Sequence, residues 1–116
     1  MGYQTDFNLR MTGNPKLFEI ARKDAKYLRR KELNGCSFWE VNELLQNELH
    51  VNENMKWYDW ERDMRMFSKR HPKILFILKG FGDEPGDVWI AYIQNGKAQV
   101  EDECIEYPKL DKKKLI

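Results

Sequence analysis

The stretch Val88-Trp89-Ile90-Ala91-Tyr92-Ile93-Gln94-Asn95-Gly96-Lys97 decides how the second half of this chain folds. Its first six residues are β-branched or aromatic apart from Ala91, as pleated strands favour. They run into Asn95-Gly96, a pair that accepts the positive φ angles of a type I′ turn, whose twist matches that of the strands it joins. The segment therefore reads as a β-hairpin. Its return strand runs from Lys97 to about Cys104, and Glu101-Asp102-Glu103 supplies charge that keeps an exposed edge from pairing with another chain.

Upstream, Pro72 forces His71 toward extended geometry, and the unbroken apolar run Ile74-Leu75-Phe76-Ile77-Leu78 predicts a strand in the middle of a sheet, covered on both faces. Before it, Trp57, Trp60, Met64 and Phe67 recur at helical spacing, which predicts a helix from about Tyr58 to Lys69. At the other end of the chain, Tyr3, Thr5, Phe7, Leu9 and Met11 alternate with polar residues, as in a strand with one face buried. Asn14-Pro15 then opens a helix whose apolar stripe is Leu17, Ile20, Ala21, Ala25 and Leu28 and which ends near Arg30.

Ser37-Phe38-Trp39-Glu40 has the form of a capping box before a second helix from about Phe38 to Leu49, although Cys36 to Val41 also suits a short β segment. The segment from His50 to Met55 fits either a strand or a loop. Strand, three helices and three strands together predict an α+β domain. Helices would cover one face of a mainly antiparallel sheet, in a ferredoxin-like arrangement with an inserted helix.

The 116 residues fit one domain, 1–116, and at 41% hydrophobic they supply a core without staples. The net charge of +1 argues against a uniformly basic nucleic-acid binder. Charge is nevertheless segregated, with Arg22, Lys23, Lys26, Arg29, Arg30 and Lys31 crowding the first helix. Cys36 and Cys104 lack metal-ligand or redox spacing, the first residues show no signal-peptide core, and no apolar run is long enough for a bilayer. The expectation is a cytoplasmic protein with reduced thiols and without a membrane span, metal or cofactor.

His50 and His71 are the only histidines, and neither stands at a spacing that announces a catalytic triad. Gly80-Phe81-Gly82 is followed by Asp83, Glu84 and Asp87, which would repel phosphate, and it lacks the lysine of a P-loop. These carboxylates match no EF-hand spacing, and the simpler reading is a solvated loop between strands. Four tryptophans exceed what a core of this size ordinarily uses, although Trp57 and Trp60 fit the buried stripe. Tyr58 and Phe81 fall off the predicted stripes and are candidate recognition aromatics.

Trp57-Tyr58-Asp59-Trp60, Asp63-Met64, Phe67-Ser68, Pro72, Phe76-Ile77-Leu78, the loop Gly80 to Asp87, Trp89, Tyr92 and Asn95-Gly96-Lys97 form a string that resembles small phage and mobile-element proteins. The resemblance covers about the second half of the chain and departs at Phe81 and Pro85. It implies a ferredoxin-like fold and an accessory protein that inhibits a host or defence protein, and it transfers no catalytic residue.

The leading expectation is thus a non-enzymatic protein-binding module whose partner contacts are Tyr58, Phe81, Asp83, Glu84 and Asp87. The alternative is a nucleic-acid-binding domain using Arg22, Lys26, Arg29 and Arg30, for which the simpler reading is a solvated helix face. An open sheet face bearing aromatics would favour a homodimer.

Overall fold

The computed structural model describes residues 5–33, 35–46, 51–55, 57–82, 88–102 and 113–115. Within these residues the elements run β1 (Thr5–Thr12), α1 (Pro15–Leu28), β2 (Glu32–Leu33), β3 (Cys36–Ser37), α2 (Trp39–Gln46), β4 (Val51–Met55), α3 (Trp60–Arg70), β5 (Leu75–Gly82), β6 (Val88–Gln94) and β7 (Lys97–Asp102). The main sheet has the order β4-β1-β5-β6-β7. All its pairings are antiparallel. The apolar run that predicted a central strand lies in β5 from Leu75 on, the middle of the five, and Gly80-Phe81-Gly82, expected in a loop, continue that strand because they pair with β1.

Strand alternation sorts the residues into two faces. Register places Leu9 beside Leu78, Leu78 beside Ala91, and Phe76 beside Ile93. These residues face the helices and are fully buried, together with Ala21, Ala25 and Leu28 of α1, Val41, Leu44 and Leu45 of α2, and Met64 and Phe67 of α3. Each such Leu or Phe contributes about 1.5–3 kcal/mol relative to exposure. The reverse face carries Leu75, Ile77, Phe81, Ile90 and Tyr92. There Leu75 and Ile77 are half-buried, so the central strand is shielded more fully on its helix face.

The hairpin has the turn its sequence requires, with φ of 50° at Asn95 and 78° at Gly96. It is fastened to α3 by Ser68, whose Oγ accepts the Gly96 N–H at 2.8 Å and donates to the Arg65 carbonyl at 2.8 Å. Gly80 lies where Trp89 crosses β5, and a Cβ there would fall inside the indole ring. Trp89 in turn stacks on Trp60, with ring centroids 4.3 Å apart and planes at 17°.

The α+β class, the mainly antiparallel sheet and the placement of helices on one face agree with the sequence pattern. The ferredoxin-like arrangement is not established, because β5, β6 and β7 follow one another as an antiparallel meander without a helical crossover, and β2 and β3 pair as a separate ribbon. That ribbon also alters the start of α2. Ser37 belongs to β3, its N–H donates to Asp63 Oδ1 at 3.3 Å, and Phe38 accepts the first helical hydrogen bond from Asn42. The predicted capping box is therefore not made, and Glu40 Oε2 is buried with no hydrogen-bond partner among the described residues. The segment left open between strand and loop contains β4. No described helix is long and apolar enough to cross a membrane.

Candidate functional site

α1 begins as its sequence dictates. The Asn14 side chain accepts the Lys16 N–H at 3.0 Å, and Pro15 occupies the first turn, where its missing N–H leaves no bond unmade. Ala21, Ala25 and Leu28 set the buried line of the helix. Ile20, expected in that stripe, lies about 100° round the helix from Ala21. It is 57% exposed, and Tyr27, two turns further along the same flank, is 66% exposed.

This flank faces the turn that joins α3 to β5. The turn is tight, with the His71 N–H donating to the Ser68 carbonyl and the Ile74 N–H to the His71 carbonyl, each at 3.1 Å. Between flank and turn is a cavity of about 250 Å³ lined by Leu17, Ile20, Arg70, His71, Pro72, Lys73 and Ile74. Leu17, Ile20, Pro72 and Ile74 make its lining largely apolar, and Arg70 and Lys73 add positive charge.

Asp24 clasps the two walls together. Its carboxylate accepts Arg70 Nε–H at 2.8 Å and Nη2–H at 2.9 Å, the paired geometry that suits a guanidinium, and His71 Nε2 stands 2.8 Å from Oδ2. Burial alone would raise the Asp24 carboxyl, but the hydrogen bonds from Arg70 and His71 prevail and hold it below its ordinary value of 3.8. The same contacts raise Arg70. With both Asp24 oxygens engaged by protein, this group of charges works as a clasp. His71 is further fixed by the Phe67 ring, 4.9 Å from its own.

A more deeply buried carboxylate lies near the start of α3. Asp63, 2% exposed, accepts the Trp57 indole N–H at 2.9 Å and the Ser37 N–H at 3.3 Å. Burial pushes its carboxyl up despite these donors. Beside it, burial also pushes up the Cys36 thiol, whose Sγ lies 3.9 Å from the Arg62 carbonyl oxygen. A thiol so raised is the opposite of a reactive thiolate.

The residues singled out in the sequence fall in several places. Tyr58 is 65% exposed and Phe81 43% exposed. Both lie toward the end of the sheet where Gly82 pairs with Thr5. Asp83, Glu84 and Asp87 lie outside the described residues, as do His50 and Cys104. Trp57 is buried, Trp60 and Trp89 are half-buried in their stack, and Trp39 is 46% exposed. Most of the tryptophan surplus is therefore core.

Arg22 and Lys26 lie in α1 and Arg29 and Arg30 just past its end, with Lys26 and Arg30 exposed and Arg22 and Arg29 half-buried. Arg22 pairs with Glu19 at 3.6 Å, and Arg29 turns back to donate to the Lys26 carbonyl at 2.7 Å, capping the helix end. Arg10 of β1 joins them across a hollow of about 250 Å³ that also includes Met11, Phe18 and Arg22. Sequence reasoning missed the Asp24, Arg70 and His71 clasp because Asp24 and its partners are separated by more than forty residues. The only local signal was an acidic residue set among the basic residues of the helix.

No family model, curated protein or solved structure matches the chain.

Proposed function

We propose that the domain is a non-enzymatic protein-binding module that docks a partner through apolar side chains left on its surface. The observation that carries this reading is the exposure of Ile20, Tyr27, Tyr58 and Phe81, each 43% or more, outside a core built from other apolar side chains. Single exposed apolar residues are ordinary. Ile20 and Tyr27 are different in lying on one helix flank, with Ile20 lining a concave cavity, and tyrosine is a side-chain type that dominates interface energetics. Asp83, Glu84 and Asp87 belong to the proposed contact set on sequence grounds, as charges that would orient docking. The narrower role, a phage-type inhibitor of a host or defence protein, rests on the sequence resemblance alone, and a cytoplasmic location on the cysteine pattern and the absence of a signal-peptide core in the first residues.

A photo-crosslinking amino acid placed at position 27, 58 or 81 tests the reading. Irradiation in cell extract should give one discrete adduct from at least one position, suppressed by excess unlabelled protein. Diffuse or absent adducts from all three positions would refute it.

A second reading, nucleic-acid binding, is supported by the hollow that adds Arg10 and Phe18 to the basic side of α1. Single strands bound there should be released steeply by salt, and Arg10→Glu with Arg22→Glu should weaken binding. An affinity insensitive to salt and to these changes would remove this reading.

A further inference from the structure

The charge around the α1 cavity selects what fits it. Lys16, Ile20, Lys23 and Tyr27 follow one another at intervals of four, three and four residues and so share one stripe of the helix. Lys31 continues the stripe, its ammonium 4.5 Å from the centre of the Tyr27 ring. Arg70 and Lys73 stand on the opposite wall. Asp24, the carboxylate between them, is already taken by Arg70 and His71. Among the described residues, no ion pair joins Lys16, Lys23 or Lys73 to a carboxylate.

We infer that this cleft receives an acidic polypeptide segment, with one apolar side chain entering the cavity between Ile20 and Pro72 and carboxylates on either side meeting Lys23 and Lys73. The inference rests on the protein-binding reading and narrows the partner's chemistry. At about 250 Å³ the cavity lies below the roughly 300–1,000 Å³ of small-molecule pockets, a size suited to a side chain. Ile20 and Tyr27 are seven residues apart, about 10.5 Å along the helix. That distance is close to three residues of a partner in polyproline II conformation, whose side chains return to one face every third residue, so a second apolar anchor three positions along would reach Tyr27. An anionic membrane would meet the same lysines, but a bilayer surface has no side chain to fill a concavity. A single-stranded nucleic acid would need open aromatic faces, and Lys31 already lies over one face of Tyr27.

A displayed library of random twelve-residue peptides, selected on the full chain, tests this. Selected peptides should carry Asp or Glu flanking a large apolar residue, bind less tightly as salt rises, and lose at least ten-fold in affinity on Ile20→Glu and on the double change Lys23→Glu, Lys73→Glu. Ile20 and both lysines are exposed, and unchanged melting of the variants would separate lost binding from lost folding. Peptides without acidic bias, or indifferent to these changes, overturn the inference. If binding falls instead on Tyr58→Ala with Phe81→Ala, the cleft is wrong while the protein-binding reading stands. Failure to select any peptide counts against both. Phosphatidylserine vesicles or oligo-dT bound in its place, with loss on the same variants, would give the cleft to a membrane or a nucleic acid.

Discussion

Asp24 of α1 and Arg70 at the end of α3 meet through two parallel hydrogen bonds, 2.8 and 2.9 Å long, which bind the first helix to the turn entering the central strand. His71 adds a third contact to the same carboxylate. The two walls come from distant parts of the chain, so this contact sets their spacing and shapes the cavity between them.

Asp24→Asn keeps the side chain's size but replaces one acceptor oxygen with a donor that faces the guanidinium. Arg70 is 40% exposed, so solvent screens part of the attraction. The expected loss is about 1–2 kcal/mol in urea unfolding, a drop in Tm of roughly 4–8 °C per kcal/mol for a domain of this size. A change within error would show that the clasp contributes shape without stability.

The pH dependence of that loss has a definite sign. The folded Asp24 carboxyl is held below 3.8, so its stabilising contribution is present above that value and fades as pH falls through the folded value. Wild type and Asp24→Asn should differ fully at about pH 6 and converge in acid below 3.8. Asp63 has the reverse sign. Its carboxyl is raised, so the stability linked to its protonated form is present in acid and lost as pH rises through the folded value. A gap between wild type and Asp24→Asn that widens in acid would contradict the assignment.

Removing the Asp63 side chain should nonetheless destabilise the protein. Asp63→Ala strands the buried indole N–H of Trp57 and removes the acceptor that ties Ser37 to α3. A loss of about 2–3 kcal/mol is expected, with tryptophan emission moving to longer wavelength as Trp57 gains water. Unchanged stability and emission would mean that water satisfies both donors.

Where a pattern is local, the sequence carried it: the Asn95-Gly96 turn and the Asn14-Pro15 helix start have their predicted conformation, and Leu75 to Leu78 of the apolar run lie in a strand. Ser37 misled because the ribbon with Glu32-Leu33 drew it into a strand, a tertiary pairing that outweighed the local capping signal. Ile20 misled because it is apolar at a position where the helix turns away from the core. The cavity was invisible in sequence because its walls come from α1 and from the turn after α3, joined by one carboxylate. Tyr58 and Phe81, by contrast, were identified by their absence from both periodic stripes, and both are exposed.

Ser68→Ala tests how the hairpin is tied to the helical layer. The Ser68 hydroxyl is buried and is the acceptor for the Gly96 N–H, so alanine leaves that amide without its partner at a cost of about 1–2 kcal/mol. Hydrogen exchange at Gly96 should accelerate by more than exchange in α3, since the helix keeps its own backbone bonds. Equal acceleration in both would indicate global unfolding.

Gly80→Ala makes the opposite kind of change, adding one methyl where none fits. Its Cβ would occupy the space of the Trp89 indole, whose other neighbours are the Trp60 ring stacked at 4.3 Å and the Phe7 ring at 5.9 Å. Trp89 cannot yield without breaking that stack, so a cost of about 1–3 kcal/mol is expected, with a weaker near-ultraviolet circular dichroism band from the paired indoles. Trp60→Ala in the same background should recover part of the stability by giving the displaced indole room. A double variant no more stable than Gly80→Ala alone would show that the strain is taken up by the strand backbone and not by the stacked rings.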